Sequence, residues 1–175
     1  LMVVFNFAGK SNTSSTTINK DSSVKLIDMT EVYKKNECKA NKDTMFTPYC
    51  MLRLYCDLID LPSKIMYLDT DVLAYRSFKE FYDIDNSQYE IVGVLDYYGS
   101  HVYKKNIFKK DYLNSGVLLY NLEMLKANDI LRKAREMCAS KKMLLPDQSA
   151  LNILCKHKLI VPNKYNEQKC MRDDT

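Results

Sequence analysis

Two aspartates, Asp69 and Asp71, follow directly on the apolar run Ile65–Leu68. Residues i and i+2 of a strand face the same way, about 6.6 Å apart along it, and a slight turn at the strand end brings both carboxylates toward one point. A divalent cation removes the repulsion between them and keeps open positions for phosphate oxygens. In open α/β sheets, ligands bind at the carboxyl ends of strands. The pattern therefore predicts a metal–diphosphate site.

The spacing alone is weak support, because a chain with fifteen aspartates contains roughly one Asp-x-Asp by chance. A second pair, Asp83 and Asp85, serves as an internal control. It lies in polar surroundings after Phe81 and Tyr82, with no strand before it, and is predicted to be a loop or a helix cap. Only the apolar strand before Asp69 distinguishes the first pair from the second.

Composition and charge exclude several classes of protein. The 175 residues are 46% hydrophobic and 27% charged, which is typical of one globular domain. The net charge of +4 is too small and too scattered to indicate nucleic acid as a partner. No run of about 18 uncharged apolar residues occurs, so no transmembrane segment is predicted. Small lysine groups leave open an attraction to a phosphate-bearing substrate or a peripheral contact with a membrane.

Cysteine usage indicates the compartment. The six cysteines include no Cys-x-x-Cys pair, and two histidines are present, which argues against a structural zinc site. Most of the cysteines lie in apolar runs, where a free thiol acts as a small hydrophobe. Reduced thiols predict a cytoplasmic protein, and the secretory lumen is the alternative if a signal anchor precedes the chain.

Apolar runs and helical periodicities alternate along the chain. Strands are predicted at Met2–Phe7, Val24–Met29, Ile65–Leu68, Ile91–Leu95 and Leu159–Val161, and the segment Asp111–Asn121 is predicted to contain a further strand or the end of one. Helices are predicted from Pro48 to Leu61, from Leu122 to Lys142 and from Pro146 to Lys156. Residues 31–44 carry many lysines and little periodicity and are predicted to be irregular. Strands that alternate with helices predict an α/β fold with a mostly parallel sheet.

Five segments, in order, resemble glycosyltransferase family 8. The segment 64–73 resembles the metal-binding segment of that family, and 112–122, 146–154 and 162–166 resemble its later motifs. Arg53-Leu54 followed by Leu61-Pro62 resembles its preceding helix. The resemblance covers residues 47–166, and 2–29 is a weaker match to earlier strands.

That resemblance implies a fold and a reaction. The fold would be a Rossmann-like α/β sandwich of the GT-A type, and the reaction would move a hexose with retention from UDP-glucose or UDP-galactose to a hydroxyl of a carbohydrate or glycoconjugate acceptor. Asp69 and Asp71 would hold Mn²⁺ or Mg²⁺, which neutralises the leaving UDP.

The resemblance also implies residue roles. It assigns contacts with the donor to a set of polar and small residues: Arg53, Asp96, Asn114, Ser115, Gly116 and Asp147. It places Asp147 and Gln148 at the reacting centre, where the Gln148 amide oxygen would stabilise an oxocarbenium-like state without acting as a covalent nucleophile. Structural readings stay open beside these roles. Arg53 could be a surface helix residue, Asn114 or Asp96 a turn residue, and Asp147 a helix N-cap.

Two motifs of the family are missing. No "AxDxxY"-like segment for the nucleoside precedes Asp69, and no "HxxGxxKPW"-like segment, which supplies a further metal ligand, follows. The sequence is therefore predicted to be an incomplete GT-A domain, truncated at both ends. A non-catalytic remnant that serves as a binding module is the alternative, and a phosphohydrolase with Asp69 as nucleophile is a third.

Overall fold

The computed structural model describes residues 2–6, 24–41, 48–98 and 111–168. Phe7 of the first predicted strand and residues 42–44 of the lysine-rich region lie outside these ranges. The described strands are β1 (Met2–Asn6), β2 (Val24–Asp28), β3 (Lys64–Leu68), β4 (Ile91–Leu95), β5 (Leu113–Asn121) and β6 (Lys158–Ile160). The α-helices are α1 (Thr30–Lys35), α2 (Lys79–Tyr82), α3 (Leu122–Ala127), α4 (Ile130–Ser140) and α5 (Pro146–Leu154). Three 3₁₀ helices span Lys39–Asn41, Pro48–Leu58 and Asn163–Tyr165.

The strands form two sheets. β1 and β2 pair in parallel, and the other four strands form a sheet in the order β3-β5-β4-β6. β5 runs antiparallel to both β3 and β4, whereas β6 runs parallel to β4. The four-stranded sheet is therefore mixed.

The prediction of a mostly parallel sheet is wrong for these four strands. It rested on alternation, which favours parallel pairing when each connection contains a crossover helix. β3 and β4 do run in the same direction, but β5 is inserted between them. Strand direction depends on this non-local insertion, and no local sequence pattern encodes it.

The inserted strand decides where the polar residues meet. Leu68 at the end of β3 pairs with Val117, and Leu95 at the end of β4 pairs with Leu113. The carboxyl ends of β3 and β4 therefore lie at the same sheet edge as the amino end of β5. Asp69, Asp96 and the 114–116 segment share this edge.

Alternating side chains of β5 build two cores. Leu118 and Tyr120 pack on one face with the 48–58 helix, α4 and α5. Val117 and Leu119 pack on the other face with Phe81 and Val161. Because the middle of β5 is buried on both faces, it reads as a continuous apolar run rather than an alternating one.

The lysine-rich region 31–44 is more regular than predicted. It contains α1, where the Asp28 carboxylate accepts a hydrogen bond of 2.9 Å from the backbone N–H of Thr30. Tyr33 is the single buried residue of α1, so a six-residue helix with one anchor gives little periodicity. None of the helices in the described residues has the length and hydrophobicity needed to span a bilayer.

Candidate functional site

The 3₁₀ helix Pro48–Leu58 presents an arginine to the sheet edge. With three residues per turn, Cys50, Arg53 and Cys56 lie in one row along this helix. Residues 51–56 are all buried, and Cys50 is partly buried against the same core, so the row faces the core. The helix begins at Pro48, as predicted, and ends three residues before the predicted Leu61.

The Arg53 side chain joins two carboxylates from different elements. Its Nη2 lies 2.8 Å from Oδ1 of Asp69, and its Nε lies 2.8 Å from Oδ2 of Asp147. Its Nη1 donates to the backbone carbonyl of Ser115. Burial disfavours the guanidinium charge, but the charges of Asp147 and Asp69 outweigh that effect, so the pKa of Arg53 is raised.

The reading of Arg53 as a surface residue is wrong, since its side chain is 3% exposed. The predicted contact between Arg53 and the donor stays a prediction. In this structure the guanidinium is directed at Asp69, Asp147 and the start of β5.

The two carboxylate oxygens of Asp69 have different surroundings. Oδ1 accepts hydrogen bonds of 2.8 Å from Arg53 and 2.8 Å from the Tyr67 hydroxyl. Oδ2 has no hydrogen-bond donor among the described residues and lies beside Gly116, where an added Cβ would stand 3.2 Å from it. Gly116 therefore allows the backbone to approach this oxygen closely. The Asp69 side chain is 31% exposed, so a ligand can reach it.

A second polar group forms around Asp96. Its Oδ2 accepts hydrogen bonds from the side-chain amides of Asn114 (2.9 Å) and Gln148 (3.1 Å). The Asn114 carbonyl oxygen in turn accepts from the backbone N–H of Gly116 and from the Asn166 amide, both at 2.9 Å. Asp96 is 4% exposed and belongs to this network. Its interpretation as a turn residue does not account for the hydrogen bonds from Asn114 and Gln148.

The start of α5 connects the two groups. Gln148 accepts from the Ser115 backbone N–H (2.9 Å) and hydroxyl (3.2 Å) through the same oxygen, Oε1. The Ser115 hydroxyl also lies 3.5 Å from the carboxylate of Asp147. The predicted role of the Gln148 oxygen toward a sugar stays a prediction, and in this structure that oxygen is bonded to Ser115.

Asp147 is not an N-cap. Leu145 precedes the first turn of α5 and makes no side-chain cap. Asp147 lies inside that turn, 6% exposed, and binds Arg53 instead. Burial, followed by the charge of Asp147, raises the pKa of the neighbouring Cys50 thiol to about 12, so this thiol is protonated beside the carboxylate.

Asp71 is exposed and lies in a turn, two residues after Asp69. Within the described ranges, no cluster of three or more His, Cys, Asp or Glu residues suits a metal ion. Asp69 and Asp71 offer carboxylate oxygens, the donors that Mg²⁺ and Mn²⁺ prefer. The open Oδ2 of Asp69 and the Gly116 backbone beside it fit an oxygen-liganded cation that takes its other ligands from water and phosphate.

Asp83 and Asp85 behave as predicted for the control pair. Asp83 follows α2 as its C-cap and pairs with Lys79, and both side chains are more than half exposed. Asp85 accepts a 2.9 Å hydrogen bond from the backbone N–H of Ser87 in a local turn. Neither reaches another element of the sheet edge.

The sequence predictions missed three residues that contact the site. Tyr67 precedes Asp69 by two positions, and the strand periodicity used for Asp69 and Asp71 also places Tyr67 on the same side. Asn166 lies in the segment 162–166, which resembles a motif of the family, but that resemblance assigns no role to it. Cys50 lies three residues before Arg53, and only the 3₁₀ geometry aligns the two.

Comparisons with known proteins show the family and the fold of this chain. The family model described as glycosyl transferase family 8 matches residues 5–174. A putative glycosyltransferase of Haemophilus influenzae is 31% identical over 118 residues, and the lipopolysaccharide glucosyltransferase WaaO of Escherichia coli is 30% identical over 122 residues. Each match covers 63% of this chain but 36% of the relative, so the chain matches about a third of the length of these relatives.

Solved structures show the same fold. An active-site mutant of LgtC superposes with a TM-score of 0.65 at 18% identity, covering 81% of this chain and 53% of LgtC. A second structure, that of the galactosyltransferase LgtC in complex with donor and acceptor sugar analogues, gives a TM-score of 0.59 at 21% identity. The mixed α/β fold and a family match over almost the whole chain define a sugar-transferring class of protein. The chain belongs to glycosyl transferase family 8.

Proposed function

We propose that this chain is a GT-A type catalytic domain that moves a hexose, glucose or galactose, from a UDP-sugar to a hydroxyl of a carbohydrate or glycoconjugate acceptor, with retention at the anomeric carbon. Family membership supports sugar transfer. The observation that carries the proposal is the meeting of Asp69, Asp96 and the 114–116 segment at one sheet edge. Donors bind at such edges in α/β folds.

Oδ2 of Asp69 and the carboxylate of Asp71 would hold Mn²⁺ or Mg²⁺. When bound, the cation would neutralise the diphosphate as UDP leaves. Asp69 is suited to this because one oxygen is fixed by Arg53 and Tyr67 while the other has no donor among the described residues. Asp71 follows two residues later and is exposed, so its carboxylate is accessible to a ligand from solvent.

The remaining residues would bind and orient the donor sugar. Asp96, Asn114 and Gln148 form one hydrogen-bonded network, so each holds the others in a single orientation. Arg53 fixes Asp147 against the start of β5. A preorganised polar surface of this kind stabilises a charged transition state without reorganising during the reaction.

The test is release of UDP from UDP-glucose and UDP-galactose, with and without Mn²⁺, by the intact protein and two matched variants. Asp69→Asn removes a charge from the candidate site, and Asp83→Asn removes one from the control pair. Asp83 forms an exposed ion pair with Lys79, and such pairs contribute about 0–1 kcal/mol to stability.

Turnover by Asp69→Asn should fall at least about 100-fold, since the loss of a metal ligand removes several kcal/mol of transition-state stabilisation. Asp83→Asn should match the wild type. Equal turnover by the wild type and Asp69→Asn would remove the proposed metal role. Binding of UDP-sugar without any turnover would favour the non-catalytic binding module.

A further inference from the structure

The Tyr67 side chain is held in one position by its neighbours. Its ring stacks on that of Tyr120, with centroids 6.3 Å apart and an interplanar angle of 13°. The guanidinium carbon of Arg53 lies 4.6 Å from the centre of the Tyr67 ring. A ring that packs against both a cation and a second ring has little freedom to turn.

This fixed ring directs its hydroxyl at one atom. The Tyr67 hydroxyl donates a 2.8 Å hydrogen bond to Oδ1 of Asp69, and Arg53 donates to the same oxygen. Oδ1 thus accepts two hydrogen bonds, whereas Oδ2 accepts none from the described residues. Any rotation of the Asp69 carboxylate away from this orientation would break the hydrogen bonds from Tyr67 and Arg53 to Oδ1.

We infer that Tyr67 is a positioning residue, which holds Oδ1 of Asp69 so that Oδ2 alone faces the bound cation. This inference rests on the proposed function, since it assumes that Asp69 binds a divalent cation. A carboxylate that offers one oxygen suits a small, octahedral cation such as Mg²⁺ or Mn²⁺, whereas a carboxylate that can offer both also suits the larger Ca²⁺. Tyr67 would therefore affect which cation is preferred as well as how tightly it binds.

The chain provides a matched control for this role. Tyr120 belongs to the same ring stack, but its buried hydroxyl has no hydrogen-bond partner among the described residues. Tyr67→Phe removes a hydroxyl that is bonded to Asp69, whereas Tyr120→Phe removes one that bonds to no described residue. Both substitutions keep the rings and their packing.

The experiment titrates Mn²⁺ and then Ca²⁺ into the intact protein with saturating UDP, using calorimetry for both and the electron paramagnetic resonance of free Mn²⁺ as a second measure. Tyr67→Phe should weaken Mn²⁺ binding about tenfold, the usual size for an outer residue that orients a ligand. It should weaken Ca²⁺ binding less, so the ratio of Mn²⁺ to Ca²⁺ affinity falls. Tyr120→Phe should leave both affinities unchanged.

The affinity ratio is independent of the folded fraction, because both cations are titrated into the same preparation. An unchanged ratio and an unchanged Mn²⁺ affinity in Tyr67→Phe, with binding lost in Asp69→Asn, would overturn the role of Tyr67 and leave the metal site intact. Absence of Mn²⁺ binding by the wild-type protein with UDP would overturn the metal site itself, and this inference with it.

Discussion

Arg53 and Arg135 are both buried, both pair with aspartate, and both lie over a tyrosine ring. Arg135 binds the two carboxylate oxygens of Asp57, at 2.5 and 2.9 Å, and also the backbone carbonyl of Leu54. It joins α4 to the 48–58 helix and occupies every oxygen of its partner. Arg53 instead divides its donors between Asp69 and Asp147.

The two regions differ in how many oxygens of the partner carboxylate accept a hydrogen bond. Asp57 has both oxygens bonded to one guanidinium, whereas Asp69 keeps Oδ2 without a donor among the described residues. Burial and ion pairing are the same in kind in both regions, so they do not by themselves mark a functional site. What distinguishes Asp69 is an oxygen that accepts no hydrogen bond from the described residues and that lies beside Gly116 at the sheet edge.

Replacement of Arg53 by Met is the most severe test of this comparison. Two carboxylates would lose their cation, and breaking a buried pair costs about 3–5 kcal/mol of stability. The orientation of Asp69 and Asp147 would also be lost, so UDP release per folded molecule should fall roughly 100-fold or more. Thermal unfolding and turnover, measured on the same sample, separate the two effects.

Replacement of Arg135 by Met should affect stability alone. Asp57 would be left 15% exposed and without its partner, which costs about 3–5 kcal/mol of stability. Turnover per folded molecule should stay at the wild-type level. The double variant Arg135→Met/Asp57→Leu should recover most of the lost stability, because it removes both charges. Reduced turnover in the folded double variant would show that the two arginines are not functionally distinct.

Two glycines sharpen the comparison with a smaller change. A Cβ at Gly93 would lie 2.6 Å from Cδ2 of Leu118, inside the core. Gly93→Ala should therefore lower stability by about 1–3 kcal/mol through overpacking, with Mn²⁺ affinity unchanged.

Gly116→Ala should have the reverse profile. The added Cβ would lie 3.1 Å from the Asn114 side-chain oxygen and 3.2 Å from Oδ2 of Asp69, so these polar groups must shift by a few tenths of an ångström. We expect Mn²⁺ affinity to fall about tenfold and the unfolding temperature to change little. The same calorimetric and thermal measurements check both variants, and equal profiles would contradict the division into site and core.

Several features of the site could be predicted from the sequence, and they are those with local signals. The apolar run before Asp69 fixes it at a strand end, and without such a run Asp83 caps a helix and Asp85 lies in a turn. Proline at the start of the 146–154 helix placed Asp147 and Gln148 in its first turn.

Other features depend on partners that are distant in sequence. The burial of Arg53 requires Ser115, 62 residues away, and Asp147 still further along. The direction of β5 depends on its insertion between β3 and β4. Tyr67 had a local signal, its position two residues before Asp69, but strand periodicity does not distinguish a core tyrosine from one that bonds a carboxylate.

The insertion of β5 between two earlier elements also has a consequence for biosynthesis. β3 emerges from the ribosome before the strand that lies beside it, and α5, which carries Asp147 and Gln148, emerges later still. The polar residues at the sheet edge are therefore brought together by contacts between residues far apart in sequence, and such contacts form slowly. A nascent chain that ends before Gln148 lacks part of this group of residues, so the group should form only after the start of α5 has been synthesised.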